Sequence, residues 1–232
     1  MDEIMRKNAG FVQPVRRYKA WIFQTGLIIL ILSFGVLTFF VKQSEYFPVD
    51  LKITRYLQSL DTVVSDVLKS VSWAGYAPQS LGIVVLVTIL LLILRFRWQA
   101  TIAFLSAIFD VTLNFAVKTL IHRPRPPAGL VHVVKVYASY SFPSGHVMFY
   151  TVFFGFICFL IYTMMKHSWY RTVLLILFGY QVLLIGVSRV YLGEHWASDS
   201  LGAYLLGFLA LLIVIWFYRW GKSRFFTQRE GN

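Results

Sequence analysis

Six stretches of this chain are apolar for nearly the length that a lipid bilayer demands, and that leaves few folds open to it. A hydrocarbon core of about 30 Å takes roughly 20 apolar residues as a helix. Trp21–Val41, Leu81–Leu94, Trp98–Val117, Val147–Met165, Val173–Val187 and Leu201–Tyr218 come near that length, the second and fifth by borrowing flanking residues. Charged residues make up 14% of the chain, against about 25% in a soluble domain. The expected fold is therefore all-α: an integral membrane bundle of six transmembrane helices, forming one domain over residues 1–232.

The net charge of +12 would raise nucleic acid as a partner for a soluble protein. In a membrane chain it reads instead as basic loops facing anionic headgroups, so membrane lipids are the expected partners and nucleic acid is not. Arginine and lysine also set the orientation. With the N-terminus inside, the inner segments hold Arg6, Lys7, Arg16, Arg17, Lys19, Arg95, Arg97, Lys166, Arg171, Arg219, Lys222, Arg224 and Arg229, which is 13 of the 22 basic residues. Both termini are thus expected on the cytoplasmic face of a multi-pass cell-membrane protein. The basic N-terminal segment resembles the start of a signal peptide, but the apolar run after it is too long and lacks a small-residue cleavage site, so it reads as an uncleaved anchor. The lone Cys158 lies inside an apolar run and reads as a packing residue.

Between the first two spans, Leu57, Leu60, Val64, Val67 and Val71 recur at helical spacing among charged residues. That pattern fits an amphipathic helix lying in the outer interface, and equally a connector packed on the bundle.

Charge at a membrane edge is costly and marks function by default. Three clusters share the outer side under this topology. In the first, Asp110, Asn114 and Lys118 stack on one helix face at intervals of four, and Arg125 follows in a proline-rich stretch. Lys118 and Arg123 also fit simple snorkelling to headgroups. In the second, Pro143, Ser144, Gly145 and His146 open an apolar run. Such a helix terminus offers free N–H groups to an anion, or Ser144 serves as an ordinary cap. In the third, Arg189 closes one span and His195 and Asp199 open the next. Their spacing lets the carboxylate fix the imidazole tautomer, or makes the pair a helix cap. Together these residues describe a pocket for a tetrahedral anion, suited to phosphoryl transfer.

The order Lys118-x6-Arg125-Pro126, Pro143-Ser144-Gly145-His146 and Ser188-Arg189-x5-His195-x3-Asp199 resembles the three-part signature of the type 2 phosphatidic acid phosphatase family, in its integral membrane branch. The resemblance implies a membrane lipid phosphatase that needs neither metal nor cofactor. His195 would attack phosphorus and form a phosphohistidine, oriented by Asp199. Lys118, Arg125, Arg189, Ser144 and Gly145 would hold the phosphoryl oxygens, and His146 would protonate the leaving group and then activate water. The implied substrates are lipid phosphates or diphosphates at the outer face: phosphatidylglycerophosphate, phosphatidic acid, lysophosphatidic acid or undecaprenyl diphosphate. No obligate protein partner is implied. The alternative is a non-catalytic lipid-phosphate-binding protein of the same fold.

The resemblance says less about the other polar residues. Asp110 and Asn114 are expected to touch substrate or to bond between helices, and Glu194 to make a contact at the rim. His122 and His132 flank the site without metal-ligand spacing.

Overall fold

The computed structural model describes the backbone of residues 2–60 and 62–225, and the side chains of residues 21–60 and 64–224. The side chains of Arg6, Lys7, Arg16, Arg17 and Lys19, together with Arg229, lie outside the described residues.

Every regular element described is a helix. In chain order these are α1 (Asp2–Gln43), α2 (Pro48–Gln58), α3 (Thr62–Trp73), α4 (Ala77–Ile93) and α5 (Arg97–Ile121). Then α6 (Gly145–Phe149) passes through a π-helical turn (Tyr150–Phe154) into α7 (Gly155–Met164), and α8 (Trp169–Tyr191) and α9 (Ala197–Phe225) complete the bundle. Five stretches are long and apolar enough to cross a membrane, and α3 with α4 adds a sixth if that pair, bent by 58°, is one span.

The α6–π–α7 rod runs through the middle of the molecule. Val147, Met148, Phe149, Tyr150, Val152, Phe153 and Phe156 are all buried along it, and α5, α8 and α9 pack around it. A helix apolar on every side needs such a place. α1 is the opposite case: Trp21, Ile28, Leu32, Phe39 and others stay exposed, and in a bilayer that surface faces lipid tails. Of the two short spans, only the fifth finds its length in its flanks. The fifth extends to Trp169–Tyr191. The second begins at Ala77 and, at about 25 Å for 17 residues, still falls short of the bilayer core by itself.

The polar stretch before it differs from a single interfacial helix. It forms two, α2 and α3, with Leu68 and Val71 buried and α3 packed on α8. Asp50 and Thr54 are buried on α2. The stripe meets protein only in part: Val71 is buried, while Leu60 and Val67 stay exposed.

Candidate active site

The rod begins at the site. Ser144 stands at the N-cap position of α6 with extended backbone, but its hydroxyl makes no capping bond. That Oγ is buried without a hydrogen-bond partner among the described residues. Of the two readings of Ser144, the cap is therefore not the one formed. Gly145 follows, so close to α5 that an added Cβ would lie 3.3 Å from Asn114 Oδ1. Asn114 in turn donates from Nδ2 to Pro143 O at 3.1 Å, fixing the loop to α5. His146 packs edge-on to Tyr76 at 5.0 Å, and its Nε2 is buried without a hydrogen-bond partner among the described residues. The break between α3 and α4 brings this about: at Gly75 a Cβ would sit 2.3 Å from His146 Cδ2.

Three cations converge on the same cavity of about 350 Å³, which His146 and His195 also line. Lys118, near the end of α5, donates to Tyr140 O, and to Ser141 O at 3.4 Å. Arg125 is held by Ser139 O at 2.8 Å and Glu194 O at 2.6 Å and lies over the Tyr137 ring at 4.6 Å. Arg189 is fully buried, donates to Ser72 Oγ at 3.1 Å and is ion-paired with Glu194. Burial, and then the nearby charge of Arg189, push Arg125 down to about 10. It still carries its charge at neutral pH. A cavity where cations repel each other out of water is stabilised by whatever anion enters it.

His195 lies between α8 and α9 and is 2% exposed. Its Nε2 stands 3.1 Å from Arg125 Nη1. Its Nδ1 is 3.3 Å from Ser141 Oγ and 3.7 Å from Asp199 Oδ2. The second distance is too long for a direct hydrogen bond. Ser141 bridges the gap, donating its hydroxyl to Asp199 Oδ2 at 2.5 Å. This network assigns the proton to Nδ1 and leaves the Nε2 lone pair toward the cavity. Burial, then Arg125, Lys118 and Arg189, hold the imidazole well below the usual histidine range. The Nε2 lone pair accepts from Arg125 Nη1 here, and a neutral imidazole that exchanges this donor for phosphorus can act as a nucleophile.

Asp199 serves two purposes. Its Oδ2 accepts from Trp196 N at 2.8 Å, which is the helix-capping role, while its other contacts belong to the site. Oδ1 accepts from Arg123 Nη1 at 2.6 Å. Arg123, equally buried, reaches Asp50 Oδ2 through Nη2 at 3.0 Å. Ser198 binds Asp50 from its N at 2.8 Å and its Oγ at 2.6 Å. Arg123 is thus no snorkelling residue but the centre of a buried carboxylate–guanidinium–carboxylate group.

The cavity gathers Lys118, Arg125, Gly145, His146, Arg189 and His195, with Asp110 and Asn114 deeper on α5. Ser144 and Asp199 stand directly behind it. Glu194 is 1% exposed and paired inward, so it makes no rim contact. His122 packs edge-on to Tyr140 at 4.5 Å, and His132 is tied to Gln58 through its main chain. Asp50, Arg123 and Ser141 were not anticipated as parts of the site. Only Arg123 carried a signal, as a second arginine in the proline-rich stretch.

Comparisons with known proteins give the family and the fold. The model of the PAP2 superfamily matches residues 99–223. The phosphatidylglycerophosphatase B of Bacillus subtilis (strain 168) is 32% identical over 178 residues, covering 69% of this chain and 84% of that protein. The crystal structure of a transmembrane PAP2-type phosphatidylglycerolphosphate phosphatase from Bacillus subtilis superposes with a TM-score of 0.73 at 27% identity, covering 86% of this chain and 98% of that one. Aquifex aeolicus LpxE shares the fold, with a TM-score of 0.58 at 20% identity over 74% of this chain and 97% of that one. A buried histidine facing three convergent cations at a helix terminus, inside a multi-pass helical bundle matched over more than half its length, marks this chain as a member of the PAP2 superfamily.

Proposed function

We propose that this protein hydrolyses a phosphate group from a membrane lipid, at the outer face of the membrane and without a metal. The observation that carries the lipid reading is a second cavity. An apolar chamber of about 380 Å³ lies along α4 and α5 and shares Ala77, Ser80, Val111 and Phe149 with the cationic cavity. A headgroup phosphate can meet His195 while its acyl chain stays in an apolar channel. Phosphatidylglycerophosphate is the first substrate to test, because the Bacillus subtilis relative, matched both in sequence and in structure, is named for it.

In the first step the Nε2 lone pair of His195 attacks phosphorus. The P–N bond forms as the P–O bond to the lipid breaks, and His146 delivers a proton to the departing oxygen. Lys118, Arg125 and Arg189 hold the phosphoryl oxygens with the Gly145 N–H and the Ser144 hydroxyl, and so neutralise charge that builds up in the transition state. Asp199 and Arg123 stabilise the imidazole through Ser141 as it becomes positive. In the second step His146 takes a proton from water, the water oxygen attacks phosphorus, and the P–N bond breaks to release inorganic phosphate. The excess of lysine and arginine in the segments assigned to the inner face supports the orientation.

The test is phosphate release by purified protein in detergent with chelator present. Phosphatidylglycerophosphate, phosphatidic acid and undecaprenyl diphosphate are compared, with His195→Ala as the blank. Turnover of at least one lipid, lost in the variant, is the expected result. Equal release by folded His195→Ala would remove the nucleophile assignment. Activity lost with chelator and restored by a divalent cation would remove metal independence.

A further inference from the structure

Asp110 has no place in the steps above, yet it is buried at 2% exposure where the polar cavity begins to give way to the apolar one. Its neighbour Val111 lines both cavities. Its Oδ1 has no hydrogen-bond partner among the described residues. It also takes part in none of the ion pairs found there, which join Lys69 to Asp66, Arg123 to Asp50 and Asp199, Arg189 to Glu194, and His195 to Asp199. A buried carboxyl without a partner is costly. Bonding between helices, the structural role open to it in the sequence, is not made.

We propose that Asp110 is a specificity-determining residue that accepts a hydrogen bond from a hydroxyl on the substrate, placed on the carbon next to the phosphate-bearing carbon. The inference rests on the lipid phosphatase reading and concerns which lipid fits it. Position follows from the helix. Asn114 touches Gly145, where the phosphate would bind, and Asp110 is one turn deeper on the same face, about 6 Å away. A hydroxyl two carbons from the phosphate ester oxygen lies in that interval. The chemistry of the acceptor is robust, because a carboxyl group keeps an accepting oxygen in either protonation state. Phosphatidylglycerophosphate and lysophosphatidic acid carry such a hydroxyl. Phosphatidic acid has an ester oxygen in its place, and an isoprenoid diphosphate has nothing. A site built to bind a hydroxyl discriminates against the analogue that lacks it, since the buried group is then left unpaired.

The experiment measures kcat/KM for lysophosphatidic acid and for its analogue lacking the sn-2 hydroxyl, with wild type, Asp110→Asn and Asp110→Ala. The hydroxyl-bearing lipid is expected to be preferred by about tenfold or more in wild type. Asp110→Asn keeps an acceptor and retains most of the preference, while Asp110→Ala brings the two lipids to near equality. A ratio near one in wild type, or an undiminished ratio in Asp110→Ala, overturns the assignment. Where the alanine variant does not fold, Asp110→Leu, close in volume and without an acceptor, takes its place, and a ratio near one in wild type overturns the assignment by itself. Turnover of both lipids without discrimination defeats this inference alone, whereas no turnover of any lipid phosphate removes the phosphatase reading and this inference with it.

Discussion

The imidazole of His195 carries the first argument. Its acid form cannot attack phosphorus, and burial with Arg125, Lys118 and Arg189 lowers its pKa from the ordinary 6.5. The neutral form is kept above that lowered pKa and lost as the pH falls through it. The acid limb of kcat/KM due to His195 is therefore expected below pH 6.5. Arg125→Gln removes one of the depressing charges and should move that limb to higher pH. The substrate phosphate, which itself titrates near pH 6, behaves alike with both enzymes and cancels in the comparison. An acid limb at the same pH in both would show that Arg125 does not act on His195. The pair Arg123 and Asp50 yields a second expectation. Arg123→Met strands two buried carboxylates, at a cost of about 3–5 kcal/mol. Adding Asp50→Asn removes one stranded charge and should recover part of the lost thermal stability. A double variant no more stable than Arg123→Met would mean the two side chains do not interact. The pair of Arg123 and Asp50 was not legible beforehand: they are 73 positions apart, and no local spacing announces a contact that forms only because α2 lies against the loop after α5.

The broken passage from α3 to α4 does more than shorten a span. By bending at Gly75 it lays backbone against one edge of His146 and the Tyr76 ring against another, so the imidazole is held by an element far from it in sequence. Gly75→Ala would place a methyl group on Cδ2 of that ring. Displacements of about 1 Å in a catalytic group cost up to roughly a hundredfold in rate. The variant is expected to lose tenfold or more in kcat while inhibition by inorganic phosphate, read as Ki, changes little, because the cations stay in place. A weakened Ki with kcat intact would mean the bend shapes the anion site and not the acid. The polar face of α5 was readable from intervals of four, and the start of α6 from Pro143, Ser144 and Gly145. The bend was not, since the stretch from Pro48 to Trp73 shows the same apolar period whether it lies on lipid or on protein. Asp50 and Thr54 of α2, which the sequence shows as polar, are buried by that packing.

Across the protein as a whole, hydropathy and charge divide the work. The apolar spans fixed the class of fold because a continuous apolar run satisfies its backbone in lipid as a helix, whereas a barrel strand alternates, and the three signature segments meet because that bundle brings one end each of α5, α6, α8 and α9 together. What patterning did not reveal is the join between the cationic cavity and the apolar chamber, since exposure to lipid and exposure to a channel look alike in sequence. Ala107 lines the chamber without touching the cationic cavity. Ala107→Trp fills much of that space with a side chain that is itself apolar. It should raise KM for a long-chain lipid phosphate about tenfold, in keeping with the apolar area withdrawn from the chain. Turnover of a short-chain, water-soluble phosphate ester should fall far less, because such a substrate never uses the chamber. Equal losses on both substrates would mean that the tryptophan disturbs the catalytic groups through Phe149, which borders both cavities, and the chain would then have to reach His195 by another side of the bundle.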